Sequence, residues 1–250
     1  MEIAGTVAII SGSAAGIGRA TAVALAEAGV RGIVLADLDE VGNGETARVV
    51  AEAGAEPMAL RIDVTDTADL EQMYAEADAR WGRIDIVFNN AGIVSGPPPY
   101  PDSSLATIRK VIEIDLIAVI QSSTLAIRYM RERGGGVIVN TASTGALNPL
   151  PSDAQYAAAK AGVVHFGTSC SVFAEQFGVR VNSVCPGVTE TAILDKTGGG
   201  VRPDWLAPIL EQIEILTPQD IAAVVLEIVR DDSKAGEHVV VHNRIKDAAA

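Results

Sequence analysis

Cysteine is scarce in this 250-residue chain: it occurs only at Cys170 and Cys185, and the two stand too far apart to suggest a metal-ligand pair. They read as reduced thiols that pack like small apolar groups. Histidine is nearly as rare, and His165, His238 and His242 form no metal-site pattern. Basic residues are outnumbered, 19 Lys and Arg against 32 Asp and Glu, which gives a formal net charge of −13. A protein that binds nucleic-acid phosphates needs the opposite balance, so no nucleic-acid partner is expected. Long apolar runs are missing too. None reaches the roughly 20 residues of a membrane span, and the first residues lack a basic region followed by an apolar stretch. The expectation is a cytoplasmic protein with no membrane partner.

What is present is globular: 48% hydrophobic and 20% charged residues, with no stretch that reads as a linker. One domain over residues 1–250 is therefore expected. Short, continuous apolar runs at 7–10, 33–36, 58–62, 84–88, 137–140, 179–185 and 237–241 fit strands covered on both faces. Helical patterns at 17–28, 45–53, 68–80, 105–131, 154–177 and 218–230 alternate with them. This predicts an α/β fold, a doubly wound Rossmann-type sheet of about seven mainly parallel strands with helices on both faces. Residues 191–217 look irregular and are expected to form a substrate lid; residues 247–250 are expected to fray.

The first strand leads into Ser11-Gly12-Ser13-Ala14-Ala15-Gly16-Ile17-Gly18. Glycines let the backbone turn sharply and approach a pyrophosphate, while the following helix offers free N–H groups and a partial positive charge. The required context, strand before and helix after, is met. Asp37 ends the second strand about 20 residues beyond Gly18, where a carboxylate accepts hydrogen bonds from ribose hydroxyls and repels a 2′-phosphate. Neither Ser13–Ala15 nor Leu38 supplies a basic residue to offset that repulsion. NAD is the expected cofactor.

Tyr156 and Lys160 lie four apart on a predicted helix and so share one face. A phenol is a weak base near neutrality, and a nearby ammonium favours its phenolate. Ser143 precedes them at the end of a strand and could hydrogen-bond a substrate oxygen.

In order along the chain, the glycine turn, Asp37, Asp63-Val64, Asn89-Asn90-Ala91-Gly92, Ser143, Tyr156-x-x-x-Lys160 and Pro186-Gly187 with Thr191 resemble the short-chain dehydrogenase/reductase family over nearly the whole sequence. The resemblance implies roles. Tyr156 would be the general acid/base on the alcohol oxygen, Ser143 would position that oxygen, and Lys160 would lower the Tyr156 pKa and bind the nicotinamide ribose. Gly12, Gly16, Ile17 and Gly18 would cradle the pyrophosphate, and Asp37 with Leu38 would meet the adenosine ribose. Asp63 and Val64 would meet the adenine, and Asn90, Ala91 and Gly92 would line the ribose and support the sheet. Pro186, Gly187, Thr189 and Thr191 would hold the nicotinamide carboxamide. A homotetramer built through the two long helices is also implied. Asp115 departs from the pattern: the family usually has Asn there, anchoring a water that relays protons from Lys160, and Asp lacks the amide donor. The departure bears on the relay, not on hydride transfer.

Three segments should surround the substrate: 93–100, 146–150, and the lid with Ile193, Leu194, Trp205, Leu206 and Ile209. They are mostly apolar, and only Lys196 and Arg202 could pair with an anion. The leading expectation is an NAD-dependent dehydrogenase of small, largely apolar secondary alcohols. Reduction of an acyl-carrier-bound ketone and a non-catalytic dinucleotide-binding regulator are the alternatives.

Overall fold

The computed structural model describes residues 1–246, apart from the side chain of Trp205; the 247–250 tail lies outside the described residues. Seven strands form one sheet in the order β3-β2-β1-β4-β5-β6-β7, and each neighbouring pair runs parallel. They are β1 (Val7–Ser11), β2 (Gly32–Asp37), β3 (Glu56–Arg61), β4 (Ile86–Asn89), β5 (Gly136–Thr141), β6 (Val179–Pro186) and β7 (His238–Val241).

The continuous apolar strands follow from two-sided burial. In β1, Ala8 and Ile10 join one core while Val7 and Ile9 join the other. The first core is closed by helices α1 (Gly16–Glu27), α2 (Glu40–Glu52) and α10 (Pro218–Arg230), through Leu25, Val50 and Val225 among others. The second is closed by α3 (Thr67–Trp81) and α5 (Ala118–Met130), through Leu70, Met73 and Met130. Winding reverses between β1 and β4, and in such sheets a crevice opens outside the strand ends at that point.

Several helices differ from expectation, each for a local reason. Helix α2 starts at Glu40, earlier than the apolar pattern suggests, because the Asp39 carboxylate caps the Gly42 N–H at 3.0 Å. The long helix expected at 105–131 is α4 (Leu105–Ile112), a π-helical turn (Glu113–Ile117) and α5. That wide turn rotates Asp115 into the interior, a distortion often found at functional sites. The helix expected at 154–177 is α6 (Ala154–Ser169) followed by α7 (Phe173–Phe177). Between them the Cys170 N–H is shared by the Phe166 and Gly167 carbonyls, which tightens the chain out of the α-helix. The irregular stretch contains α8 (Ala192–Lys196) and α9 (Ala207–Gln212).

Candidate functional site

A cavity of about 450 Å³ opens at the C-terminal ends of β1, β2 and β4 and reaches α6 and α8. Its floor is the glycine turn. Gly12 has φ +67°, and a Cβ on Gly18 would lie 2.1 Å from the Gly12 carbonyl oxygen, so both positions require glycine. Gly12, Gly16 and Ile17 face the cavity, whereas Gly18 is buried beneath the turn. The N-cap of α1 is Ala15, and among the described residues no side chain caps this helix start and no acidic residue stands in its first turn.

Asp37 reaches the same wall. Its Oδ2 accepts the Ala14 N–H at 2.9 Å and its Oδ1 the Asp39 N–H at 3.0 Å, so the carboxylate is tied to the turn it borders. Leu38 is half exposed beside it. Asp63 and Val64 line the opposite side. The Thr65 N–H and hydroxyl, at 2.9 and 2.7 Å from Asp63 Oδ1, hold the Asp63 carboxyl below its ordinary range. Asn90 joins the tips of three strands: its amide donates to Ser11 and Gly12 carbonyls, and its Oδ1 accepts the Thr141 hydroxyl. Asn89 turns the other way, into a buried network with Ser122, Ser123 and Asn140 that packs sheet to helix.

At the far end Tyr156 and Lys160 project from one face of α6, with the Lys160 Nζ 5.6 Å from the Tyr156 ring centre. Lys160 is buried and donates to the Thr141 carbonyl at 3.0 Å. Its Nζ also stands 3.2 Å from Asp115 Oδ1, in an ion pair that is almost wholly inside the protein. The family resemblance implies a water relay from the lysine at this helix position; here the Asp115 carboxylate itself stands beside the ammonium, so the two opposite charges face each other directly. Burial pushes the Tyr156 phenol up, Lys160 draws it down, and Asp115 pushes it up again, leaving it above its ordinary value. Burial would lower Lys160, but Asp115 and Tyr156 outweigh that and raise it.

The remaining candidates, Thr191 excepted, stand off the cavity wall. Ser143 caps a single turn, Thr144–Ala146, by accepting the Gly145 N–H at 3.0 Å, and its hydroxyl acts to lower the Tyr156 phenol. Pro186 is paired inside the sheet with Val241. Gly187 packs against Asn243, which brackets Val188 with two bonds of 2.7 Å. Thr189 donates to the Gly187 carbonyl and bridges to Leu216. Of that loop Thr191 alone borders the cavity. The resemblance implies one carboxamide-binding block from Pro186 to Thr191; sheet pairing and the Asn243 bracket hold the first part of it away from the cavity.

Sequence reasoning missed Ile62, Thr141 and Ile114. The signal for the first two was available, because residues at the C-terminal ends of parallel strands face the crevice. On the substrate side Ile93, Ile193 and Lys196 reach the wall, while 146–150 does not. Arg202 is committed elsewhere, paired with Glu190 and with Asp195. The Pro-rich rim is pinned to the start of α6, where Asp153 accepts the Ser95 hydroxyl and N–H at 2.6 and 3.0 Å.

Residues 6–200 match the short chain dehydrogenase family. The chain belongs to that family. It is similar to levodione reductase of Leifsonia aquatica, 34% identical over 236 residues that cover 91% of this chain and 88% of that protein. The crystal structure of levodione reductase superposes with a TM-score of 0.88 over 95% of this chain and 96% of that one, at 32% identity. A second relative is cis-4-hydroxycyclohexanecarboxylate dehydrogenase of Sinomonas cyclohexanicum, 37% identical over 201 residues and 80% of each chain. A third is a 7α-hydroxysteroid dehydrogenase solved with NADH and 7-oxo glycochenodeoxycholic acid: TM-score 0.85, 29% identity, covering 96% of this chain and 94% of that one. The protein is accordingly an oxidoreductase of the short-chain alcohol dehydrogenase and carbonyl reductase type, using a nicotinamide dinucleotide, NAD or NADP. Among the described residues no helix is long and apolar enough to cross a membrane, and no cluster of His, Cys, Asp and Glu could hold a metal ion.

Proposed function

We propose that this dehydrogenase uses NAD to interconvert a small, largely apolar secondary alcohol and its ketone. The observation that carries the reading is one cavity with Asp37 on its wall and the Tyr156–Lys160 pair on another part of it. The chain fits the dinucleotide: the uncapped start of α1 offers N–H donors to a pyrophosphate, and the glycine turn leaves no Cβ in its path. Bound NAD supplies the hydride acceptor. Ser143 orients the substrate oxygen, Tyr156 exchanges a proton with it, and Lys160 supports the phenolate by its charge. Asp115 acts on this group from behind Lys160. Around these, Gly12, Gly16, Ile17 and Gly18 shape the pyrophosphate turn, Asp37 and Leu38 meet the adenosine ribose, and Asp63 and Val64 the adenine. Asn90, Ala91 and Gly92 form the ribose wall. Thr191 contacts the nicotinamide side, with Pro186, Gly187 and Thr189 shaping its loop.

Asp37 should exclude a 2′-phosphate, since among the described residues the basic wall residues are only Lys160 and Lys196. We expect kcat/KM with NAD to exceed that with NADP by more than about 100-fold, roughly 2.7 kcal/mol. Equal turnover with both would sink the assignment, and Asp37→Ser combined with Leu38→Arg should narrow the gap.

Beyond the reacting groups themselves, the substrate side of the wall is formed by Ile93 and Ile193 with Lys196 on α8, and Arg202 is already paired. A carboxylate buried there without a partner is costly. Hydroxycyclohexanecarboxylate and hydroxysteroid in the relatives' names support a ring-bearing substrate; the first carries its carboxylate across the ring from the reacting carbon, not beside it. Neutral cyclic secondary alcohols should therefore outperform 2- and 3-hydroxy acids in an NADH absorbance panel; a hydroxy acid as best substrate, with Lys196 required, overturns this. Residues 191–217 serve as the substrate lid of a single 1–250 domain. Exposed apolar groups on and beside the helices, Leu105, Ile117, Val172 and Phe177, support a homo-oligomer, tetrameric by family resemblance. A solution mass of one chain by light scattering would contradict that.

A further inference from the structure

We propose that Asp115 is a positioning residue that neutralises Lys160 and so sets the pH range in which Tyr156 accepts the alcohol proton, an inference that rests on Tyr156 being the acid/base. The geometry is specific. The π-helical turn buries Asp115 completely, and its Oδ1 receives the Ile93 N–H at 3.1 Å and Lys160 at 3.2 Å. Gly92 makes the approach possible: a Cβ there would lie 2.5 Å from Oδ1 and 3.2 Å from the Lys160 Nζ. An ammonium has three donors. Thr141 takes one, and the Asp115 carboxylate stands 3.2 Å from the same nitrogen as its ion-pair partner.

The charge of Asp115 is not explained by packing. An asparagine would present the same Oδ1 to Ile93 and Lys160, and among the described residues nothing donates to the buried Oδ2 of Asp115. A buried ion pair is also weak evidence for stability, because desolvation offsets the attraction. What the carboxylate changes is the field at Tyr156. A lone ammonium favours the phenolate strongly; an ammonium with a carboxylate at 3.2 Å is nearly neutral from outside and favours it less.

The other groups facing the phenol are Asp153, in the turn that precedes α6, and the neutral Ser143 after β5. Lys196 borders the cavity from α8. Asp153 is already held by Ser95, and among these groups Asp115 is the one paired with Lys160. Tyr156 and Lys160 titrate as a couple, so removing the nearby negative charge lowers the pH at which that couple first loses a proton.

The test is kcat for alcohol oxidation against pH, followed by NADH absorbance, for wild type, Asp115→Asn, Asp115→Ser and Tyr156→Phe. The rising limb should move to lower pH by about one unit in both Asp115 variants, the low end of what a neighbouring charge does. NAD binding, followed by protein fluorescence, identifies which variant is folded, and either suffices. A limb that stays in place, moves to higher pH, or turns into a fall with pH overturns the role of Asp115. If Tyr156→Phe instead retains the wild-type limb, the acid/base assignment itself is wrong, and the inference goes with it.

Discussion

Tyr156→Phe is expected to lower kcat by at least about 100-fold, and up to the roughly 10⁴-fold typical of a lost general acid/base. The substitution deletes one oxygen and leaves the ring packed on α6. It touches neither the glycine turn nor Asp37, so NAD affinity should persist. The expected signature is thus a loss in kcat with dinucleotide binding retained, measured by steady-state rates and a fluorescence titration. Retention of more than about a tenth of the activity corresponds to under 1.4 kcal/mol, too little for the group that carries the proton. Another donor would then have to be found near Ser143.

Lys160→Met should strike both activity and stability. It removes the only cation paired with Asp115 among the described residues and strands a carboxylate that is fully buried. Breaking a buried pair from one side costs about 3–5 kcal/mol. The cost depends on pH with a definite sign. Burial already pushes the Asp115 carboxyl up, even against the pull of Lys160, and the variant loses that pull. A carboxyl whose folded pKa is raised favours the folded state at low pH and loses that contribution as pH rises through the raised value. The stability deficit relative to wild type should therefore be small near pH 4–5 and grow toward pH 8. Urea unfolding at the two pH values measures it. Adding Asp115→Asn to Lys160→Met should recover much of the loss, because no uncompensated charge then remains. An equal deficit at both pH values, or no recovery in the double variant, would mean that lost packing of the lysine stem dominates.

The number and places of the strands were legible because parallel strands are buried on both faces, and seven short apolar runs stand out between polar turns. Helix ends were less legible. Gly42 and Gly44 mask the start of α2, since the signal for it is a single capping contact from Asp39. The break between α6 and α7 leaves no mark in an apolar pattern that continues across it. At the site, Asp37, Tyr156 and Lys160 were readable because their chemistry is tied to fixed places on a strand end or a helix face. The strand-end place of Thr141 was readable too, but its bond to Lys160 was not, because what it offers is a main-chain carbonyl, which every residue has.

The sequence by itself determined the alternation of strands and helices, the glycine turn, the acidic end of β2 and the Tyr–Lys pair. Each of these rests on local rules of period, backbone freedom and spacing. Tertiary structure decided what the Asp115 substitution means. Reading along the chain shows only an acid where an amide is usual, more than forty residues before Lys160. A widened helical turn and a glycine without a side chain bring the two within 3.2 Å, and exclusion of water makes that contact strong. Tertiary structure also decided that Arg202 is spent on Glu190 and Asp195 while Lys196 reaches the cavity. Charge pairing across a folded loop depends on distances that no spacing in the sequence encodes.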